Sequence, residues 1–118
     1  MLDNSILERF FDSVNQRDLE RMGELFKESA EFYFPKTQPL IGKDRIKRFF
    51  KILFRQYPEL LFSVQRTIVQ GGKAAVHWTN KGRNRKGEDY KNEGVTVFEE
   101  QEGLISYMSD FFKDTEKF

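Results

Sequence analysis

Residues 104–114 read LISYMSDFFKD, and their alternation sets how the rest of the chain is to be folded. Ser106, Met108, Asp110 and Phe112 fall on one side of an extended strand, and Ile105, Tyr107, Ser109 and Phe111 on the other. Both sides carry large apolar groups, which predicts a strand covered on both faces. One acid interrupts the first side. Asp110 stands between Met108 and Phe112, where a carboxylate must be hydrogen-bonded, neutral, or turned to a wet pocket. A strand-end aspartate that reaches water and a pocket acid both fit this pattern.

Working back from that strand, the chain reads as an antiparallel sheet as far as Pro58. Glu102-Gly103 is a turn, Glu88 to Glu100 a long strand, and KGRNRKG, Lys81 to Gly87, a basic loop. Lys73 to Asn80 is a strand with Val76, Trp78 and Asn80 on one face and Ala75, His77 and Thr79 on the other. Gly71-Gly72 is a two-residue hairpin turn of the kind that needs positive φ, and Leu60 to Gln70 precedes it as a further strand.

The first half is helical. Ser5 with Glu8 suggests a capping box before Ile6, Leu7, Phe10, Phe11 and Val14. Asp18 caps a second helix expected to carry Leu19, Met22, Leu25 and Phe26, after which Glu31 to Phe34 forms a short strand ended by Pro35. Lys36 to Gly42 has loop chemistry. Ile46, Phe49, Phe50, Leu53, Phe54 and Tyr57 then form one apolar stripe at helical spacing, stopped by Pro58. Lys43, Lys47, Lys51 and Arg55 decorate its other faces as a solvated surface or an anion-docking one. Helices first and hairpin-linked strands second predict one α+β domain over residues 1–118, its helices covering one face of a curved sheet.

Composition narrows the function classes. In 118 residues there are 13 Phe, 4 Tyr and one Trp, enough for an aromatic core that also lines a cavity for a flat ligand. The net charge of +1 gives no global field for nucleic acid or membrane surfaces. Without cysteine there are no disulfides or thiolate metal sites, and a single histidine gives no metal-ligand spacing. No apolar run approaches the roughly 20 residues of a membrane span, and no signal peptide is evident, so a cytoplasmic domain without cofactor is expected. The basic loop lacks the aromatic stacking motif of a specific nucleic-acid site.

VNQRDLERMGELF, ESAEFYFP, Gly42 before the third helix, AVHWTNKG, EGVTVF and SDFFKDT together resemble the SnoaL-like polyketide cyclases of the nuclear transport factor 2-like superfamily. That superfamily also holds ketosteroid isomerase, scytalone dehydratase and limonene epoxide hydrolase. The resemblance runs from about Phe10 to Thr115 and implies a cone-shaped fold, with three helices inside a mostly antiparallel sheet that encloses a pocket. It also implies homodimers formed through the outer sheet face, where Ala75, His77, Thr79, Val95 and Val97 alternate outward.

Carried over residue by residue, the ketosteroid isomerase set falls on Phe10, Thr96 and Phe34, so that mechanism is absent, since phenylalanine neither donates nor accepts a proton. The aspartate of limonene epoxide hydrolase matches Asp110, but its arginine and second aspartate have no counterparts here. The polyketide cyclase acid/base also maps to Asp110, with Asp114 as the alternative register. The resemblance therefore implies a catalytic Asp110 in a pocket lined by Phe10, Phe34, Trp78, Thr96, Phe98 and Met108, for a small apolar or aromatic ligand. Thr96, Asn80 and Tyr33 are the candidates for a polar helper. Strand parity turns His77 outward, away from that pocket. Two classes fit: an isomerase, cyclase or hydratase, and a non-catalytic binding or interaction module.

Overall fold

The computed structural model describes residues 2–116. Helices α1 (Asn4–Asn15), α2 (Leu19–Gly23) and α3 (Lys43–Gln56) lie against one sheet built from β1 (Phe26–Tyr33), β2 (Leu40–Ile41), β3 (Leu61–Gln70), β4 (Lys73–Arg83), β5 (Asp89–Gln101) and β6 (Leu104–Phe112). The strand order is β2-β1-β6-β5-β4-β3. Only β1 and β6 run parallel; every other neighbouring pair is antiparallel. Bulges between Val64 and Arg66 and between Glu99 and Glu100 help bend the sheet around the helices. The expected α+β architecture of three helices on a curved, mostly antiparallel sheet is what the chain adopts.

Local chemistry explains most boundaries. Asp3, rather than Ser5, caps α1, its carboxylate accepting from the Ser5 backbone N–H at 2.9 Å. Asp18 caps α2 as expected, but that helix stops at Gly23. Leu25 and Phe26 leave it because β1 is drawn into pairing with β6, Phe26 lying opposite Ile105. The expected loop before α3 contributes the two residues of β2, whose Leu40 and Ile41 pair with Phe32 and Glu31. Gly42 then turns with φ 105° into α3.

Two polar ties hold the frame. The Asn15 side chain exchanges two hydrogen bonds with the Phe62 backbone, at 3.0 and 2.8 Å, pinning the end of α1 to β3. Arg17 donates to the carbonyls of Asn15 and Tyr57 and lies over the Phe54 ring, joining the ends of α1 and α3. Between helices and sheet the core is aromatic. Phe10 meets Phe11, Phe26, Phe50 and Phe98 edge to face, and Phe32 stacks on Phe50 at 5.7 Å. In β6 the alternation fails at one place. The bulge near Ser106 turns Ile105 into the core, where it is fully buried, while Ser106 donates to the Glu99 carbonyl.

Candidate functional site

The inner face of β4, β5 and β6 places three polar groups in a chain. Thr96 lies directly opposite Asp110, and Gly94 lies opposite both Trp78 and Phe112. A Cβ at Gly94 would come within 2.8 Å of the Trp78 ring and 2.4 Å of the Phe111 carbonyl, so only glycine leaves room there. The Trp78 Nε1–H donates to Thr96 Oγ1 at 2.8 Å, and Thr96 Oγ1 donates to Asp110 Oδ1 at 2.6 Å. An indole N–H only donates, so the threonine oxygen accepts from it and its single proton goes to Asp110. Thr96 thereby fixes one oxygen of the Asp110 carboxyl and spends its proton there. Among the described residues no donor is assigned to Asp110 Oδ2.

Burial pushes the Asp110 carboxyl up to about 7, against the hydrogen bond from Thr96, which favours the charged form. No Lys, Arg or His among the described residues forms an ion pair with it. Asp110 keeps partial surface accessibility, but the space it opens onto is lined by aromatic side chains, and desolvation outweighs that exposure. The group exchanges its proton near neutral pH.

Two small cavities meet at this carboxyl. One, of about 30 Å³, is walled by Phe34, Phe49, Phe50, Leu53, Leu60, Phe62, Trp78, Asn80, Tyr90, Asp110 and Phe112. The other, of about 20 Å³, is walled by Phe10, Phe11, Val14, Phe50, Phe62, Thr96, Met108 and Asp110. Each is the size of a water molecule or a small polar group, far below the roughly 300 Å³ of an open ligand site. Phe34, Phe49 and Leu53 also wall a surface groove of about 200 Å³ with Pro35, Lys36, Thr37, Ile52 and Gln56. Those three side chains therefore stand between the cavity at Asp110 and that groove. Wider depressions of about 680 and 600 Å³ run along the ends of β3, β4 and β5. They are open, carry charges of both signs and do not touch Asp110, so size does not make them the better site.

Of the residues singled out from sequence, Phe34, Trp78 and Asp110 border the larger cavity, and Phe10, Thr96, Met108 and Asp110 the smaller. Phe98 borders neither; it is fully buried against the rings of Phe10 and Phe11. Tyr33 lies on the outer face, donating to Glu31 at 2.6 Å beside the Tyr107 ring, and does not serve the site. Asp114 follows β6, its backbone N–H and carbonyl held by Asn92, and borders the outer depression instead. His77 contacts Glu93 at 2.5 Å on the outer face, where Lys113 also reaches Glu93. Of the basic loop, Lys81, Gly82 and Arg83 belong to β4, which leaves Asn84–Glu88 as the turn.

The walls from α3 were not anticipated as site residues. Their helical stripe signalled a packed core, and the cavity lies inside that same core. Tyr90 was legible in principle, since it shares the inner parity of β5 with Thr96. Burial pushes its hydroxyl up to about 12, so it stays protonated. Among the described residues no group of three or more His, Asp or Glu side chains is placed to hold a metal ion. No helix is long and apolar enough to cross a membrane.

Residues 7–108 match the family model of the SnoaL-like domain. The chain belongs to the SnoaL-like domain family. Asp110 lies just beyond the matched residues, so its placement rests on the strand register above. A structure from Jannaschia sp. CCS1, named after the SnoaL-like polyketide cyclases, superposes with a TM-score of 0.84 at 21% identity, covering 92% of this chain and 83% of that one. A nuclear transport factor 2-like protein of unknown function from Burkholderia pseudomallei K96243 gives 0.86 at 16% identity, covering 92% and 88%. One from Kribbella flavida DSM 17836, named after ketosteroid isomerase, gives 0.79 at 25% identity, covering 94% and 77%. No curated protein matches the sequence.

Proposed function

We propose that this SnoaL-like domain is a small-molecule pocket protein in which Asp110 serves as acid/base in isomerase- or cyclase-type chemistry on an apolar ring ligand. One observation carries the reading: a carboxyl with one oxygen held by Thr96, bordering two aromatic-walled cavities, with a pKa of about 7. In its charged form Asp110 Oδ2 takes a proton from a carbon beside a carbonyl, and the carbonyl oxygen receives the electron pair as an enolate. The protonated acid then returns the proton to the same or a conjugated carbon. Atoms and charge balance without a cofactor. The cyclase and isomerase names of the structural relatives point to the same class.

The test is deuterium uptake by an enolisable ring ketone, 2-tetralone, followed by proton NMR in heavy water. The expected result is exchange above the buffer rate, rising with pH around a midpoint near 7, and abolished in Asp110→Asn with the fold retained. No exchange by the wild-type chain would leave the second reading, a non-catalytic ligand-binding or protein-interaction module, of which the small size of the cavities favours the interaction form.

We also propose that two copies pair through the outer face of the sheet. Ile68 and Phe111 are 70% and 59% exposed there, flanking the smaller Ala75, Val95 and Val97 of the inner strands.

A further inference from the structure

Asn80 follows Trp78 by two residues on β4, shares its inner face, and is only 7% exposed. It borders the same 30 Å³ cavity as Asp110. Its side-chain oxygen is buried and has no hydrogen-bond partner among the described residues. The amide directly opposite, Asn92, does not supply one, because its Nδ2 donates to the Tyr90 hydroxyl at 2.9 Å and to the Asp114 carbonyl at 2.8 Å. An enclosed amide oxygen without a donor is costly, and it is rare in native cores outside places that receive a ligand or water.

We propose that Asn80 Oδ1 is the second polar contact of the Asp110 site and selects ligands that carry a hydroxyl on an apolar ring. The inference rests on the reading of Asp110 as the acid of the site and adds the ligand class. A hydroxyl does two things at once in this cavity. Its proton goes to Asn80 Oδ1, and its oxygen accepts from the protonated Asp110 carboxyl at Oδ2. A carbonyl or ether oxygen answers Asp110 but leaves Asn80 unpaired. A hydrocarbon answers neither. Discrimination built on a buried acceptor is stronger than discrimination by ring size, because the wrong ligand strands a group that water can no longer reach.

Trp78 is the sole tryptophan and its indole N–H belongs to the site, so one resonance reports on binding. The experiment follows that resonance in nitrogen-15-labelled protein at about pH 6 during titration with phenol, anisole and toluene. Phenol is expected to bind about tenfold more tightly than anisole or toluene, the increment of one buried hydrogen bond. Asn80→Leu, close in size and without an acceptor, is expected to bring the three within about twofold; Asn80→Ala reads the same loss should the leucine variant not fold. Anisole or toluene binding as tightly as phenol, or a phenol preference that survives both substitutions, would overturn the role of Asn80 while the apolar pocket stands. If none of the three moves the indole resonance, the pocket reading and this inference fall together.

Discussion

The Asp110 carboxyl links stability to pH in a direction opposite to most surface acids. Its folded-state value of about 7 lies above the ordinary 3.8, so the folded chain keeps a proton that the unfolded chain releases. Stability from this group is therefore fully present below about pH 4 and is lost as pH rises through about 7, a change of about 4 kcal/mol across that window. Asp110→Asn, neutral at every pH, should match the wild-type melting temperature near pH 4 and exceed it by a widening margin up to pH 8. Parallel melting curves for the two proteins at all pH values would contradict the buried-acid account. Thr96→Val removes the donor that favours the charged form, so it should raise the Asp110 pKa further; a fall would mean the hydrogen bond is misassigned. At this scale the sequence was informative about the acid and left its partner open among Thr96, Asn80 and Tyr33. The pattern placed Asp110 among apolar neighbours, but the pairing of Thr96 with Asp110 depends on strand register, which alternation within one strand does not reveal.

The elements were legible where periodicity was long and misread where tertiary pairing competed with local propensity. The stripe from Ile46 to Tyr57 and the Gly71-Gly72 hairpin marked α3 and the β3–β4 turn directly. Leu25 and Phe26 fit a helix just as well by local pattern, yet β1 claims Phe26 through its parallel pairing with β6. The bulge near Ser106 is likewise a cross-strand event, which is why the alternation predicted Ile105 on the wrong side. Gly94 is the element-level position most exposed to test. Gly94→Ala drives a methyl into the Trp78 ring and the Phe111 backbone, and overpacking of that kind costs about 1–3 kcal/mol. The expected outcome is a lowered urea midpoint together with a displaced indole N–H resonance. An unchanged resonance would show that Trp78 does not lie across β5 as described.

On the scale of the whole molecule, the sheet divides two roles between its faces. The inner face holds the aromatic core and the acid, and the outer face carries Tyr33, His77, Glu93, Val97 and Phe111 toward solvent or a second copy. For the proposed pairing, sedimentation at micromolar concentration should give twice the 14.1 kDa chain mass. Val97→Lys should reduce that to one chain without altering the Asp110 site, because Val97 points away from it. A wild-type mass near that of one chain would refute the dimer. The order of helices and hairpins made the architecture readable, but the volume left beside Asp110 was not, because it depends on how 13 phenylalanine side chains pack rather than on where they occur.

The central claim is that Asp110 is a desolvated acid poised near neutrality, and carbon-13 titration of its side-chain carboxyl tests it without knowledge of any substrate. The account predicts a single transition with a midpoint near pH 7, absent from spectra of Asp110→Asn. A midpoint at or below the ordinary value of 3.8 would identify a solvated or ion-paired aspartate and contradict the acid/base assignment.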